Sequence, residues 1–436
     1  MCGQNHKILK IIMKKPFRVA VCVDATKTLG RAAFQGVVGY IRKTDCEWIL
    51  HSSAGNRLWL PTEADSLPIN ELDGIISFAS NESTIKKVEK AGVHLVSIFD
   101  DPPDSSIPAV LSDNDAIGRL AARHLVELQL KNFVYYGTDL VNNSEARFRG
   151  FAAFLVEKNT GAPACPTSPP ARADSGRPGS LARGSQAGGP AHIKVGVEDV
   201  MRSSSDDRRN YLRRLGKELL LITHDGRDAL GVFAYSDNMG VTVIEACREV
   251  GLAVPGKVAV IAVATDEIIC ELSVPPLTTI LQDARKIGQE SAAMLDVLIR
   301  GRVPKNRRII VPPLGISVRT STDIVATEDP YVIKAVRVIR ERFRDKLNVE
   351  DICEALKISR RVFEERFRCA LGRSPYEEIM RTRIRHAETL LVQTSDTNLT
   401  ISLESGFASE RRFDENFRKI IGMSPGEYRR KFAGLA

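Results

Sequence analysis

The stretch Ser359–Glu378, SRRVFEERFRCALGRSPYEE, recurs 50 residues later as Ser409–Tyr428, SERRFDENFRKIIGMSPGEY. Ser359, Arg361, Phe363, Phe367, Arg368, Gly372, Ser374, Pro375 and Glu377 return as Ser409, Arg411, Phe413, Phe417, Arg418, Gly422, Ser424, Pro425 and Glu427. A repeat at fixed spacing marks one structural unit used twice. Ser359 and Ser409 are predicted N-caps, whose hydroxyls accept from free amides of a first helical turn. The Phe pairs are four residues apart and so lie on one helix face, anchoring it to a core. Gly372 and Gly422 suit left-handed C-caps. Ser374-Pro375-Tyr376-Glu377 and Ser424-Pro425-Gly426-Glu427 read as capping boxes with Pro at the first helical position.

A helix pinned by its Phe face leaves the other face to solvent. On the first helix that face carries Arg360, Arg361, Glu364, Glu365 and Arg368; on the second it carries Glu410, Arg411, Arg412, Glu415, Asn416 and Arg418. Ahead of the first lies VEDICEAL (349–356), a short amphipathic helix, then the turn Lys357-Ile358. This is helix-turn-helix spacing, with the second helix available to a major groove. A connecting helix from Pro375 to Val392 spans about 27 Å. Successive major grooves on one face of DNA lie about 34 Å apart, so two such helices can enter neighbouring grooves.

Charge agrees. The 436 residues carry a formal net charge of +8, and residues 331–436 hold 22 Lys and Arg against 16 Asp and Glu, so +6 of the +8 sits in the last quarter. Basic excess concentrated in one segment is expected where phosphate is met. The eight cysteines are scattered without CxxC or Cys/His spacing, so no metal or cofactor is implied. Cys22, Cys247, Cys353 and Cys369 sit in apolar or helical patterns and are expected in the core. The opening MCGQNHKILKIIMKK has lysines breaking a short apolar run, unlike a signal peptide or a membrane span, and translation is expected to begin at Met13. A reduced, cytoplasmic setting fits. No P-loop, G-x-S-x-G or credible Ser/His/Asp set is present, and His224-Asp225-Gly226 reads as a turn, so no enzyme is expected.

Upstream, the pattern changes to alternating strands and helices. FRVAVCVD (17–24), DGIISFA (73–79), HLVSIFD (94–100), NFVYYG (132–137), ALGVFAYSD (229–237) and VAVIAVATDE (258–267) read as buried strands. Helices are predicted over 30–43, 83–91, 115–128, 207–221, 241–250 and 283–300. Such alternation implies doubly wound parallel sheets with helices on both faces. Residues 160–192 are almost entirely Gly, Ala, Pro, Ser and Arg; they form either a surface loop or the product of a shifted reading frame. The expected fold class is a two-lobed α/β domain followed by an all-α domain with two helix-turn-helix units. The divisions are an extension over 1–15, an effector-binding domain over 16–324 with the 160–192 insert, and a DNA-binding domain over 325–436.

The C-terminal motifs, with SRRVFEERFRCALGRSPYEEIMRTRIRHAETLL and SGFASERRFDENFRKIIGMSPGEYRR, resemble the AraC-type DNA-binding domain over about 332–431. That resemblance implies DNA binding through Ser359, Arg360, Arg361, Glu364 and Arg368 in one unit and Ser409, Glu410, Arg411, Arg412 and Arg418 in the other. Two departures stand out. Asp396 and Asn398 stand where the family has aliphatic residues and Ser402 where it has Ala, so weaker packing is expected at the second unit and most of the affinity at the first. Glu365 occupies a position that is often Arg.

The α/β portion resembles a LacI-type, periplasmic-binding-protein-like ligand domain through PAVLSDNDAIGRLAARHLVE (108–127), SEARFRGFAAF (144–154), the stretch 232–267, the stretch 272–299 and IIVPPLGISVRTSTD (309–323). The two together are similar to the xylose-operon regulator family. A ligand is then expected at strand carboxyl ends. Asp24, Arg31, Arg147, Asp237 and Asp266 are the candidate effector contacts, although Asp at a strand end often only caps the next helix. Ser236 replaces a common Asn, and Ala264 aligns with the expected sugar-binding Asp, so xylose is not carried over as effector. The resemblance implies double-stranded DNA, a small-molecule effector such as a sugar, a homodimer and RNA polymerase as partners, with no membrane. The competing reading is a metabolite-binding protein with a vestigial DNA-binding domain.

Overall fold

The protein is described by a computed structural model covering residues 16–44, 46–52, 68–77, 82–102, 104, 106–138, 141–158, 191–195, 205–224, 228–324, 327 and 329–432. The extension, residues 160–190 of the insert, Asp225, Gly226 and the 325 boundary fall outside the described residues; Ala191 and His192, the insert's last two, open a strand. Along the chain run β1 (Phe17–Cys22), α1 (Thr28–Thr44), β2 (Trp48–Ser52), β3 (Gly74–Ser77), α2 (Glu82–Lys90), β4 (His94–Phe99), β5 (Ala109–Ser112), α3 (Asn114–Glu127), β6 (Asn132–Thr138) and α4 (Asn142–Glu157). Then come β7 (Ala191–Val195), α5 (Ser205–Ile222), β8 (Leu230–Ala234), α6 (Asp237–Glu249), β9 (Val258–Val263), α7 (Glu267–Leu272), β10 (Thr278–Leu281), α8 (Ala284–Ile299), β11 (Arg308–Val311) and β12 (Gly315–Ser317). The last part is all helix: α9 (Pro330–Arg342), α10 (Val349–Leu356), α11 (Arg360–Leu371), α12 (Pro375–Gln393), α13 (Asn398–Glu404), α14 (Glu410–Ile421) and α15 (Pro425–Phe432). Among the described residues no helix is long and apolar enough to cross a membrane.

The chain divides into two compact units: the described residues up to 111 with 284–311, and 112–283 with those from 312 onward. In the first unit the sheet order is β11-β5-β4-β3-β1-β2, and β1 pairs in parallel with both β2 and β3. In the second it is β12-β10-β9-β8-β6-β7, parallel from β10 to β7 with β12 antiparallel at the edge. In the first sheet the winding direction reverses between β1 and β3, in the second between β6 and β8, and a crevice opens at the carboxyl ends of strands that flank such a reversal. All six residues of β9 are buried, as a central strand covered on both faces requires.

Each predicted strand and helix has a counterpart. The short β2, β5, β7, β10, β11 and β12 and the six-residue α7 lack a sequence signal of comparable length. Cys22, Cys247 and Cys353 are buried, as are Cys46 and Cys270, whereas Cys369 is exposed on α11. The helical part packs around a core in which Val336, Ile339, Ile352, Phe363, Phe367, Ile384, Leu391, Ile401, Phe413 and Phe417 are buried, with Leu314 joining it from the chain after β11.

Candidate DNA-reading surface and effector site

The caps fix where each reading helix begins and ends. Asn348 and Asp351 form a reciprocal capping box at the start of α10, and Lys357 ends it in the left-handed region (φ 52°). α11 follows and ends at Gly372 (φ 66°), and α14 ends at Gly422 (φ 83°). The predicted boxes close as expected: Ser374 N donates to Glu377 Oε2 at 2.8 Å and Ser424 N to Glu427 Oε2 at 2.7 Å. Ser409 Oγ accepts from Arg412 N at 3.4 Å. Ser359 departs from expectation, since it stands at the N-cap of α11 but makes no side-chain cap hydrogen bond. Its hydroxyl is thereby left on the solvent face beside the first-turn arginines.

Phe363 and Phe367 are fully buried and meet edge to face at 5.4 Å; Phe413 and Phe417 repeat this at 5.4 Å. The opposite faces present the expected charges with unequal freedom. Arg360 is held by Glu350 and, at 2.8 Å, by Glu364. Arg361 is exposed and makes no ion pair among the described residues. Arg368 is likewise exposed. On α14, Arg411 pairs with Glu415 at 3.0 Å yet keeps a side chain 88% exposed, Arg418 pairs with Asp414 at 3.6 Å, and Glu410 and Arg412 are exposed.

The polar helix opening the second unit packs better than its composition predicts. Asp396 lies ahead of α13, outside the packed face, and Thr397 supplies the N-cap, its hydroxyl accepting from Thr400 N at 3.2 Å. Ser402 is buried but donates its hydroxyl to Leu399 O at 2.8 Å. Ile401 is fully buried, and ring contacts run from Phe407 through Phe413 and Phe417 to Tyr428. The loops entering the two supporting helices are each clasped by a later guanidinium that the sequence reading passed over. Arg383 on α12 donates to Phe343 O and Asp345 O, both at 2.8 Å, and Arg429 on α15 donates to Leu391 O at 3.3 Å and to Asp396 O.

The effector candidates fall in both units. In the first unit Asp24 Oδ1 accepts from Thr26, and Arg31 donates to Thr26 O at 2.6 Å and Thr28 Oγ1 at 3.2 Å, so both order the turn after β1. In the second unit Arg147, Asp237 and Asp266 gather at the ends of β6, β8 and β9. The α3–α4 crossing that carries Arg147 is unusually close: a Cβ at Gly118 would lie 2.1 Å from Arg147 O, and one at Gly150 2.2 Å from Asp115 O. Arg147 is buried; its Nε donates to Asn114 Oδ1 at 2.9 Å and its Nη1 to Tyr235 O at 2.6 Å, while its guanidinium lies 4.6 Å from the Tyr235 ring centre. Gln282 joins the group, its Oε1 accepting from Ser112 Oγ at 2.8 Å and its Nε2 donating to Ala264 O at 3.3 Å. The motifs D-N-D, Y-S-D and L-Q-D carried these partners in the sequence, but only the fold shows that they converge.

Asp237 has no exposed surface. Its carboxylate accepts from Asn238 N at 2.8 Å, Thr265 N at 2.7 Å, Thr265 Oγ1 at 2.7 Å and Asp266 N at 2.6 Å. Ser236 caps α6, accepting from Met239 N, and Asp266 caps α7, accepting from Ile268 N at 3.3 Å.

Comparison with known proteins fits this geometry. The periplasmic binding protein-like domain family matches residues 122–322, and the helix-turn-helix domain family matches 352–431. The xylose operon regulatory protein of Haemophilus influenzae is 24% identical over 427 residues, which is 95% of this chain and 98% of the relative. That of Escherichia coli K12 is 24% identical over 95% of this chain and 97% of its own. The solved structure of the xylose-binding transcription activator xylR shares the fold at a TM-score of 0.56 and 22% identity, covering 96% of this chain and 99% of that one. The chain is thus a transcription regulator that joins a periplasmic binding protein-like sensor to an AraC-type helix-turn-helix domain, similar over nearly its full length to the xylose operon regulatory proteins.

Proposed function

We propose that the chain binds promoter DNA as a cytoplasmic homodimer through α11 and α14, contacts RNA polymerase there, acts as a regulator with no catalytic activity, and is switched by a small polyol held against Arg147. One observation carries the DNA reading: two helices of one design, each pinned by a buried Phe pair and each offering exposed arginines, are held by a single 19-residue helix. Ser359, Arg360, Arg361, Glu364 and Arg368, with Ser409, Glu410, Arg411, Arg412 and Arg418, form the reading faces. Arg361 is free of ion pairs among the described residues, whereas Arg411 must leave Glu415, so the first unit supplies the larger share of affinity.

At the effector site Arg147 has only neutral protein acceptors among the described residues, which leaves its charge available to ligand hydroxyl oxygens, and Tyr235 supplies an aromatic face. Asp237 and Asp266 order the surrounding strand ends, and Asp24 and Arg31 order the corresponding turn of the first unit. A vestigial DNA-binding domain loses its support once the polar α13 is accounted for by the Thr397 cap. The test is fluorescence anisotropy on duplexes from the DNA flanking the chain's own gene. Affinity should fall steeply with salt. Arg361→Ala should weaken binding more than Arg411→Ala, and the double variant by about tenfold or more. Full binding by the double variant overturns the DNA reading.

A further inference from the structure

α3 spans about 20 Å and is anchored at both ends. At its start Asp113 caps the helix, accepting from Ala116 N at 2.9 Å, and the next residue, Asn114, accepts from Arg147 Nε. At its end the Glu127 carbonyl accepts from Arg373 Nη1 at 3.4 Å, and the Glu127 carboxylate lies 3.9 Å from Arg381. One residue beyond its C-cap, Gln129 takes a left-handed backbone (φ 61°) and places its side-chain amide where a Cβ on Gly372 would meet it at 3.2 Å. Gly372 is the C-cap of the first reading helix, and Arg373 also donates to Leu371 O, the last carbonyl of that helix, at 3.3 Å and to the buried Glu378 at 2.5 Å.

The seam beside this contact is polar and closely fitted. Asp323 pairs with Arg340 of α9 at 2.6 Å and lies 3.6 Å from Arg385 of α12. His124, near the end of α3, hydrogen-bonds Thr322 Oγ1 at 3.0 Å; burial, with Arg385 and Arg381 nearby, pushes its pKa down to about 3, so the ring is neutral. At the other end, the glycine crossing with α4 leaves no slack in which α3 can shift without Arg147. A helix clamped in this way and free of Pro moves as one body, because a sharp kink requires its own hydrogen-bond ladder to be interrupted.

We infer that α3 is the rigid link between the Arg147 site and the first reading helix, with Asn114 and Arg373 as the positioning residues at its two ends. A ligand that re-aims Arg147 changes the hold on Asn114, and the displacement emerges at the Gly372 C-cap and the start of α12. The ligand-switched regulator supplies the need for such a link, and the inference rests on that reading. Coupling of this kind is a free energy shared by the two ends, so a perturbation at either is felt at the other.

The test is amide hydrogen exchange on the full-length protein with neither ligand nor DNA present. Asn114→Ala removes the acceptor for Arg147, whereas Asn114→Asp keeps one. Asn114→Ala should speed exchange of the amides of residues 372–374 and 376–378 by about threefold or more, and Asn114→Asp should leave them at the wild-type rate. Arg208→Ala, which breaks the Arg208–Glu245 pair of the same unit, should leave them unchanged. Faster exchange confined to residues 112–120 and 142–150 overturns the link. Should Asn114→Ala fail to fold, Arg373→Met tests the link from the other end: faster exchange at residues 113–118 supports it, and unchanged exchange there overturns it. Because no DNA is present, a negative result removes the link alone, whereas full DNA binding by the double arginine variant removes the assignment of DNA contact to Arg361 and Arg411 and leaves the link untouched.

Discussion

Two residues at the second unit's strand ends divide the work between holding and contacting. Arg147 is buried with neutral acceptors, while among the described residues the Asp237 carboxylate accepts only from local donors, at the start of α6 and just after β9. A carboxylate that satisfies three main-chain amides away from water is costly to lose, because each amide is left without an acceptor. Asp237→Ala should therefore lower unfolding stability by about 2–4 kcal/mol, measured by urea titration. A cost under about 1 kcal/mol together with loss of the effector response would instead assign Asp237 to the ligand. Sequence alone left this Asp evenly balanced between cap and contact, since both tasks place Asp at the same strand end.

Among the elements, α12 does more than join two motifs. Its Glu388 carboxyl accepts from the Tyr428 hydroxyl of α15, and burial pushes it up to about 7, against a smaller lowering by Tyr428 and Arg385. The folded protein therefore keeps this proton through a range in which the unfolded chain, with the ordinary value of 4.5, has released it. The contribution of this group to stability is full below about 4.5 and is lost as pH rises to about 7. Glu388→Gln keeps an acceptor for Tyr428 and carries no charge. It should raise unfolding stability at pH 8 by an amount on the order of 2 kcal/mol, seen as a higher melting temperature, and have little effect at pH 4.5. Equal melting of the two proteins at pH 8 would show that the carboxylate is well solvated in the folded state. The neighbouring α13 shows how an element can be misjudged from composition: Asp396 and Asn398 look like defects until the cap at Thr397 moves them off the packed face.

On the scale of the whole molecule, a sensor and a reader in one chain imply that ligand occupancy is linked to stability. A compound that binds only the folded state stabilises it in proportion to the logarithm of concentration, by about 2.7 kcal/mol at one hundred times its dissociation constant, and so raises its melting temperature. A thermal-shift series of D-xylose, other pentoses, hexoses and sugar acids should identify at least one stabilising compound. D-xylose should not give the largest shift, because Ala264 lacks a side-chain acceptor and Ser236 is committed to capping α6. No shift with any compound, alongside intact DNA binding, would mean a regulator that does not respond to sugars.

The repeat at 359–378 and 409–428 determined the helical quarter of the chain by itself: its caps, Phe pairs and terminal glycines are local signals that need only neighbouring residues. The alternation of apolar runs did the same for the parallel sheets, because buried central strands must be apolar on both faces. Short edge strands such as β11 and β12 carry too few residues for a pattern to show. Only the tertiary structure decided which polar residues meet, since Arg147, Asn114, Tyr235 and Gln282 lie far apart in the chain and their pairing depends on a helix crossing set by Gly118 and Gly150. It also decided that Asp237 is fully paired and that Arg360 is held while Arg361 is free among the described residues, because these are properties of distance and burial rather than of residue type.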